Sequence, residues 1–346
     1  VGLIAFRDLD LKLYKTSTSL IVGELIKRGV NGYAYRQGSP YLFIDYKGSL
    51  VKFFSTMPMS SSRFDTGISN DKFITNEIAK GLCVPTLENL IFNADDYGRV
   101  IDLLNRLKLK NQSLIIKPLD SAHGNGITVN ISDEQELIVA IKYASEFSNN
   151  LVAQRYLKKR EDIRVLCVGG RVMAIANRVP ASVEGDGINN VEKLISISNE
   201  SRSKDYSEQL VEIDIDRARS FLRDEMDRVP KKGEVVRVLG ISNIGAGGTS
   251  IDVTNIIPEE IKDMALKLTS EFNMEVAGVD FLVNSLDLDN NDLTVSNLDP
   301  IFIELNSCPG LSPHYLAENL NNGKTNTSCR PIVERFVDYM LGDASW

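Results

Sequence analysis

Apolar and polar positions along the chain follow two periods that interleave from one end to the other. Val1-Gly2-Leu3-Ile4-Ala5 reads as a short strand, and over Ser17 to Lys27 the residues Leu20, Ile21, Leu25 and Ile26 recur at helical spacing. Tyr41 to Asp45 and Leu50 to Phe54 are β-rich runs separated by Tyr46-Lys47-Gly48-Ser49, a hairpin pattern. The polar, serine-rich stretch from Ser55 to Ser69 predicts a boundary, and Asp71 to Lys80 predicts a helix that stops at Gly81. Ser113 to Lys117 and Ile127 to Ile131 predict strands, so the glycine-bearing loop between them connects strands and does not open a helix. Leu151 to Tyr156, Ile163 to Val168 and Arg171 to Arg178 are further strands, the last two joined at Gly169-Gly170. The polar interval from Asn189 to Lys232 has helical pattern over Asp216 to Met226. Pro258 to Phe272 and Pro331 to Leu341 predict core-facing helices. Asn284 to Asp299 is rich in Asp and Asn but lacks the glycine and terminal glutamate of a calcium loop, which leaves a solvated hairpin tip.

At 346 residues the chain exceeds what one core usually accommodates, which predicts subdomains with clefts between them. Its 47 acidic and 39 basic side chains give a net charge of -8, which argues against nucleic acid and for small-molecule partners. Cys83, Cys167, Cys308 and Cys329 show no zinc spacing and predict reduced thiols. No apolar run is long enough for a membrane span and no basic-then-apolar leader opens the chain, so a cytoplasmic protein is expected.

The chemistry concentrates in a few segments. Ser121 to Gly126 can wrap backbone N–H groups around phosphate oxygens, with Lys117 supplying a point charge at the strand end. The match to a Walker loop fails, because no Gly-Lys-Ser/Thr and no helix follow, and a structural hairpin stays open as the alternative. Asp280 closes the run Val276-Ala277-Gly278-Val279. Glu304 and Asn306 stand at i and i+2 on the strand opened by Ile301-Phe302-Ile303, so alternation sends both to one face. Three oxygen donors of this kind suit magnesium; solvated surface acids are the alternative. Val236 to Thr254 contains Asn243 to Asp252, a second glycine-rich loop too small-sided to pack a core, read either as a substrate-closing loop or as a flexible turn. Arg164, Arg178 and Arg237 sit on predicted strands, where each serves a carboxylate, a phosphate or a salt bridge.

From about Asp71 to Leu341 the chain resembles the ATP-grasp carboxylate-amine ligases, particularly the ATP-grasp modules of cyanophycin synthetase and bifunctional glutathione synthetase. The resemblance rests on Asp71-Lys72, the Lys117-Pro118 to Gly126 segment, Arg178-Val179-Pro180-Ala181 with Gly185-Asp186-Gly187, Gly247-Gly248-Thr249, and Asp280 with Glu304-x-Asn306. It implies an α+β, α/β fold in which two α+β subdomains, 71–153 and 154–346, clamp the nucleotide behind a small α/β N-terminal domain, 1–70. ATP and two magnesium ions are the implied cofactors. Lys72 and Lys117 contact phosphates, Ser121, His123, Gly124 and Gly126 form the covering loop, and Asp280, Glu304 and Asn306 hold the metals. The adenine hinge falls on Gln154, Arg155 and Tyr156, where the family reads Glu-Lys-Tyr. Glu161 or Asp162 is the ribose contact.

By the same resemblance Arg178 would face the acyl phosphate, and Gly248 would belong to the loop at the reacting centre. Relatives carry an arginine where this chain has Leu239, and Arg237, two residues earlier on the same strand face, is the candidate substitute. His123 and His314 are candidates to orient substrate or accept the amine proton. The implied reaction is attack of a carboxylate on ATP to give an acyl phosphate and ADP, then displacement of phosphate by an amine, with amino acids or peptides as reactants. Two other readings remain at this point: an ATP-grasp kinase that stops at phosphoryl transfer, and a nucleotide-binding regulatory or partner-binding protein with a drifted site. A homodimer is expected from symmetry statistics.

Overall fold

A computed structural model describes residues 3–119, 126–204, 211–240, 242, 244–286, 293–315, 317–319 and 331–343. Its contacts divide the chain into two compact units, one formed by 1–85, 163–177 and 251–346 and the other by 86–162 and 178–250. The division differs from one drawn at 70 and 153, because segments far apart in sequence share cores.

In the first unit, an antiparallel meander runs through Ile4–Ala5, Asn31–Ala34, Tyr41–Tyr46, Ser49–Phe54 and Met57–Pro58. The expected hairpin forms, and the pairing Tyr46↔Ser49 narrows its loop to the two residues Lys47-Gly48. Leu42, Ile44 and Phe53 bury one face of this sheet with Ile21, Val22 and Leu25 of helix Thr16–Lys27, and with Phe336 and Val337 of helix Ile332–Met340. Leu166, Val168, Met173 and Val276 join the same cluster, so the first seventy residues share their core with later strands and the last helix. Arg28 fastens the two helices, donating to Asp338 at 2.5 Å and to the Glu334 carbonyl at 2.9 Å. The serine-rich stretch expected as a boundary is ordered. It holds the strand Met57–Pro58 and the helix Arg63–Ser69, whose first N–H groups, on Phe64 and Asp65, donate to the capping Ser62 Oγ. Asp71 likewise caps the helix Lys72–Gly81 by accepting from Phe73 N and Ile74 N.

A six-stranded sheet is ordered Ile301–Asn306, Val276–Val283, Glu161–Val168, Arg171–Val179, Thr249–Asp252 and Glu318–Asn319. Residues 163–177 of its third and fourth strands belong to the first unit. Ile163, Val165, Ile175, Ala277, Val279, Phe281 and Phe302 pack there against Ile261, Ala265 and Leu268 of the helix Glu259–Glu271.

The second unit contains a four-stranded antiparallel sheet ordered Leu90–Asn93, Asn150–Tyr156, Ser113–Pro118 and Thr128–Ile131. Leu114, Ile116, Leu151 and Ala153 form one face, which packs on Val100 and Leu104 of helix Gly98–Lys108 and on Leu137 and Ile141 of helix Glu134–Ser145. A smaller cluster buries Ala181, Val183, Val191, Ile195, Ile213, Ala218, Val236 and Leu239 around the two-stranded pair Ser182–Glu184 and Val235–Arg237. Among its described residues, the interval expected to carry helical pattern over Asp216 to Met226 holds the helices Val191–Lys204 and Ile215–Leu222, followed by a 3-10 turn at Arg223–Asp227. Among the described residues, no helix is long and apolar enough to cross a membrane.

Candidate active site

In the first unit the acids lie on a strand pair with defined register. Val276–Val283 and Ile301–Asn306 run antiparallel with Asp280 opposite Glu304 and Gly278 opposite Asn306, and the register shifts just beyond Asp280. Asp280 is 1% exposed within a strand otherwise made of apolar residues, so its charge demands a partner. Arg164 supplies it: Nε donates to Asp280 Oδ1 at 2.7 Å and Nη2 to Oδ2 at 2.6 Å, while Nη2 lies 3.8 Å from Glu304 Oε1. Asn306 Nδ2 donates to Glu304 Oε1 at 3.3 Å. Two carboxylates and an amide carbonyl are thus gathered on one strand pair, a hard-oxygen donor set that fits a magnesium ion by its chemistry. Among the described residues no group of three His, Cys, Asp or Glu side chains is placed to hold a metal, so a metal at this strand pair would take its third protein oxygen from the Asn306 amide.

Lys72 opens the helix Lys72–Gly81, which packs against the acid-bearing strand Ile301–Asn306. The turn after that strand is tied to the N-terminal segment, a link the sequence did not signal. Thr56 Oγ1 donates to the Pro309 carbonyl at 2.8 Å, and Leu311 N donates to Ser17 Oγ at 2.9 Å. His314 is buried in the short helix Ser312–Tyr315. Its imidazole therefore lies below the surface, a poor position for direct exchange of a proton with solvent.

In the second unit the pairings Lys117↔Val152 and Ile115↔Gln154 place Lys117 and Gln154 diagonally on one sheet face, opposite the face that packs on the helices. Both side chains are buried. Gln154 Nε2 donates to Asn89 Oδ1, which orients the amide and brings in a residue the sequence reading passed over. Tyr156 alternates onto the same face as Gln154, whereas Arg155 points the other way and is exposed. Only two of the three expected hinge residues therefore share a face with Lys117.

Asp162 and Arg178, expected to contact ribose and acyl phosphate separately, are paired with each other. Arg178 Nε and Nη2 both donate to Asp162 Oδ1, at 3.1 and 2.5 Å. Arg237 braces its own loop, donating to the carbonyls of Leu239 at 2.8 Å and Gly240 at 2.8 Å. The Leu239 side chain fills the smaller core, so it offers no polar group to a ligand.

Gly126 and the described part of the second glycine loop are more closely packed than their composition suggests. Gly126 has φ +72° and a Cβ there would come within 2.7 Å of Pro118 Cγ, so only glycine closes the strand connection at this point. Ser121, His123 and Gly124 lie outside the described residues, as does Asn243. The second glycine loop does pack a core, against the expectation: Ala246 is part of the smaller cluster. Gly247, at φ +100°, would bring a Cβ within 2.7 Å of Ile213 Cα, and Gly248 beside it is buried. Asp186 Oδ1 accepts from Ile188 N and Asn189 N at 2.8 Å each, and the Asn189 N–H is the main cause that holds its carboxyl below the usual range.

Residues 98–202 match the family described as the prokaryotic glutathione synthetase ATP-grasp domain. The chain is 30% identical over 307 residues to cyanophycin synthetase of Nostoc sp. (strain PCC 7120 / SAG 25.82 / UTEX 2576), a match that covers 86% of this chain and 32% of that protein. It is 26% identical over 339 residues to the glutathione biosynthesis bifunctional protein GshAB of Clostridium perfringens, covering 93% of this chain and 41% of that protein. The chain thus spans about a third of the length of the cyanophycin synthetases it matches. The crystal structure of a bifunctional glutathione synthetase from Pasteurella multocida superposes with a TM-score of 0.63 at 20% identity, over 96% of this chain and 44% of that one, which establishes a common fold. Residues 98–202 thus match an ATP-grasp domain family, and the chain has the ATP-grasp fold.

Proposed function

We propose that this chain is an ATP-dependent, ADP-forming ligase that joins a carboxylate to an amine through an acyl phosphate, with amino acids or peptides as substrates. The observation that carries the reading is the in-register set Asp280, Glu304 and Asn306, in which a buried aspartate faces two half-buried oxygen donors across one strand pair. Magnesium held by these three residues would neutralise charge on the transferring phosphoryl group. Lys117 and Lys72 would bind nucleotide phosphates, and Gln154, its amide oriented by Asn89, would meet the adenine edge. Arg178 would leave its shared contact on Asp162 to meet charge developing on the acyl phosphate, while Asp162 takes the ribose hydroxyls.

In the first half-reaction a substrate carboxylate oxygen attacks the γ-phosphorus and ADP departs. In the second, an amine nitrogen attacks the acyl carbon, phosphate departs with the bonding pair, and the amine proton is released. No protein nucleophile is required, so positioning and charge neutralisation do the catalysis. We also propose a cytoplasmic homodimer, for which native mass measurement is the check on assembly.

The test is incubation of the full chain with ATP, magnesium and pooled amino acids or dipeptides, with phosphate and product masses recorded. Phosphate release that requires both a carboxylate and an amine, together with a condensed mass, is the expected outcome. A phosphorylated product without free phosphate would make the protein a kinase instead.

A further inference from the structure

Arg164 is the only basic residue in the strand Glu161–Val168, and its guanidinium engages both oxygens of Asp280 at 2.7 and 2.6 Å. The nitrogen that binds Oδ2 also lies 3.8 Å from Glu304 Oε1. Asp280 and Glu304 stand directly opposite each other across the strand pair, an arrangement in which like charges repel. One planar cation thus serves two of the three residues assigned above to magnesium. We propose that Arg164 is the resident counter-cation of this acid pair, neutralising it in the metal-free protein and competing with the divalent ion for the same carboxylates. The inference rests on the metal assignment made above.

The competition has a definite sign. An oxygen engaged by the guanidinium must be shared or released when a metal arrives, and a positive charge left beside the ion disfavours it. Without Arg164 the two facing carboxylates of the metal-free protein lose the guanidinium that engages them, and one of them is almost wholly buried. That raises the free energy of the metal-free state while removing repulsion from the metal-bound one. Both effects tighten metal binding. If Arg164 instead only orients Asp280 for the metal, its loss loosens the carboxylate and weakens binding, so the two roles predict opposite shifts.

The experiment measures Mn2+ binding to the full chain without nucleotide, by the signal of free Mn2+, alongside thermal melts in EDTA and in excess Mg2+. Arg164→Met is expected to lower the Mn2+ Kd about tenfold, the scale one neighbouring charge imposes. Its melting temperature in EDTA is expected to fall by about 5 °C. Magnesium should recover most of that loss, more than it raises the melting temperature of the wild type. Arg164→Lys keeps a charge but not the fork, and its Kd should fall between the two, which carries the same comparison if the methionine variant does not fold. Glu304→Gln tests the metal assignment separately: unchanged Mn2+ binding in that variant sinks the assignment itself. Loss of binding in Glu304→Gln, together with equal or weaker binding in the Arg164 variants, overturns the competition and leaves the assignment standing.

Discussion

Arg164 and Arg178 each clasp an aspartate, but the two pairs are built for different ends. Arg164 sends two nitrogens to two oxygens of Asp280, with side-chain exposures of 13% and 2%. Arg178 sends two nitrogens to a single oxygen of Asp162, and that carboxylate is 21% exposed. A planar fork matched to both carboxylate oxygens in a buried strand is a strong, directional contact whose loss strands a charge. Two bonds that converge on one oxygen near solvent cost less to exchange for a ligand. The difference teaches that an arginine in a strand pattern has no fixed meaning until its partner and burial are known. It also separates a contact that balances the charge of the acid pair from one close enough to solvent to be exchanged for a ligand.

The largest expected effect tests whether the acid set is catalytic. Glu304→Ala should reduce ATP-dependent turnover about a thousandfold or more while leaving the far-ultraviolet circular dichroism spectrum unchanged. Near wild-type turnover in that variant would remove the acid pair from the mechanism.

Asp280→Asn and Asp162→Asn compare the two clasps directly in urea unfolding. Removing the buried Asp280 charge from Arg164 should cost about 3–5 kcal/mol of stability, as for a buried pair that loses one member. Loss of the Asp162 charge beside Arg178 should cost about 1 kcal/mol, because that carboxylate reaches solvent. Similar losses in the two variants would erase the distinction between them. In the catalytic assay Asp162→Asn should raise the KM for ATP by about tenfold or less, consistent with loss of one ribose contact.

The smallest effect concerns the sheet that carries Arg164. Burial pushes the thiol of Cys167, three residues along the same strand, from 9.0 up to about 12. Between those values the folded protein keeps a proton that the unfolded chain has released, so stability must fall as pH rises through this window. The slope from this group is about 1.4 kcal/mol per pH unit. Wild type and Cys167→Ala should therefore diverge in the pH dependence of unfolding between pH 9 and 12. Parallel curves would show that this strand is less enclosed than the fold implies.

Much of the local architecture was legible. The hairpin at Lys47-Gly48, the helix opened by Asp71, and the strand connection that ends at Gly126 follow from turn chemistry, capping and alternation, which act within a few residues. The helix Gly98–Lys108 was also readable, since Val100, Leu104 and Leu107 recur at helical spacing, yet the reading passed over it. The helix Val191–Lys204 was harder, because polar residues dominate it and blur its apolar stripe. Serines from Ser55 to Ser69 misled because capping and linker sequences share a composition; only the accepting geometry of Ser62 tells them apart.

For the site, the chain by itself determined which residue types were present and which strand face each would take. Lys117, Asp280, Glu304 and Asn306 were legible as polar interruptions of apolar strands, and their face follows from the two-residue period of a strand. Tertiary structure decided the partnerships. Arg164 meets Asp280 across 116 positions of sequence, Gln154 meets Asn89 across 65, and Thr56 reaches Pro309 across 253. Alternation gives the direction of a side chain but not the neighbouring strand, and sheet order is set by which apolar faces bury each other best. That global competition is why the sequence could nominate the acids but could not show that an arginine already holds them.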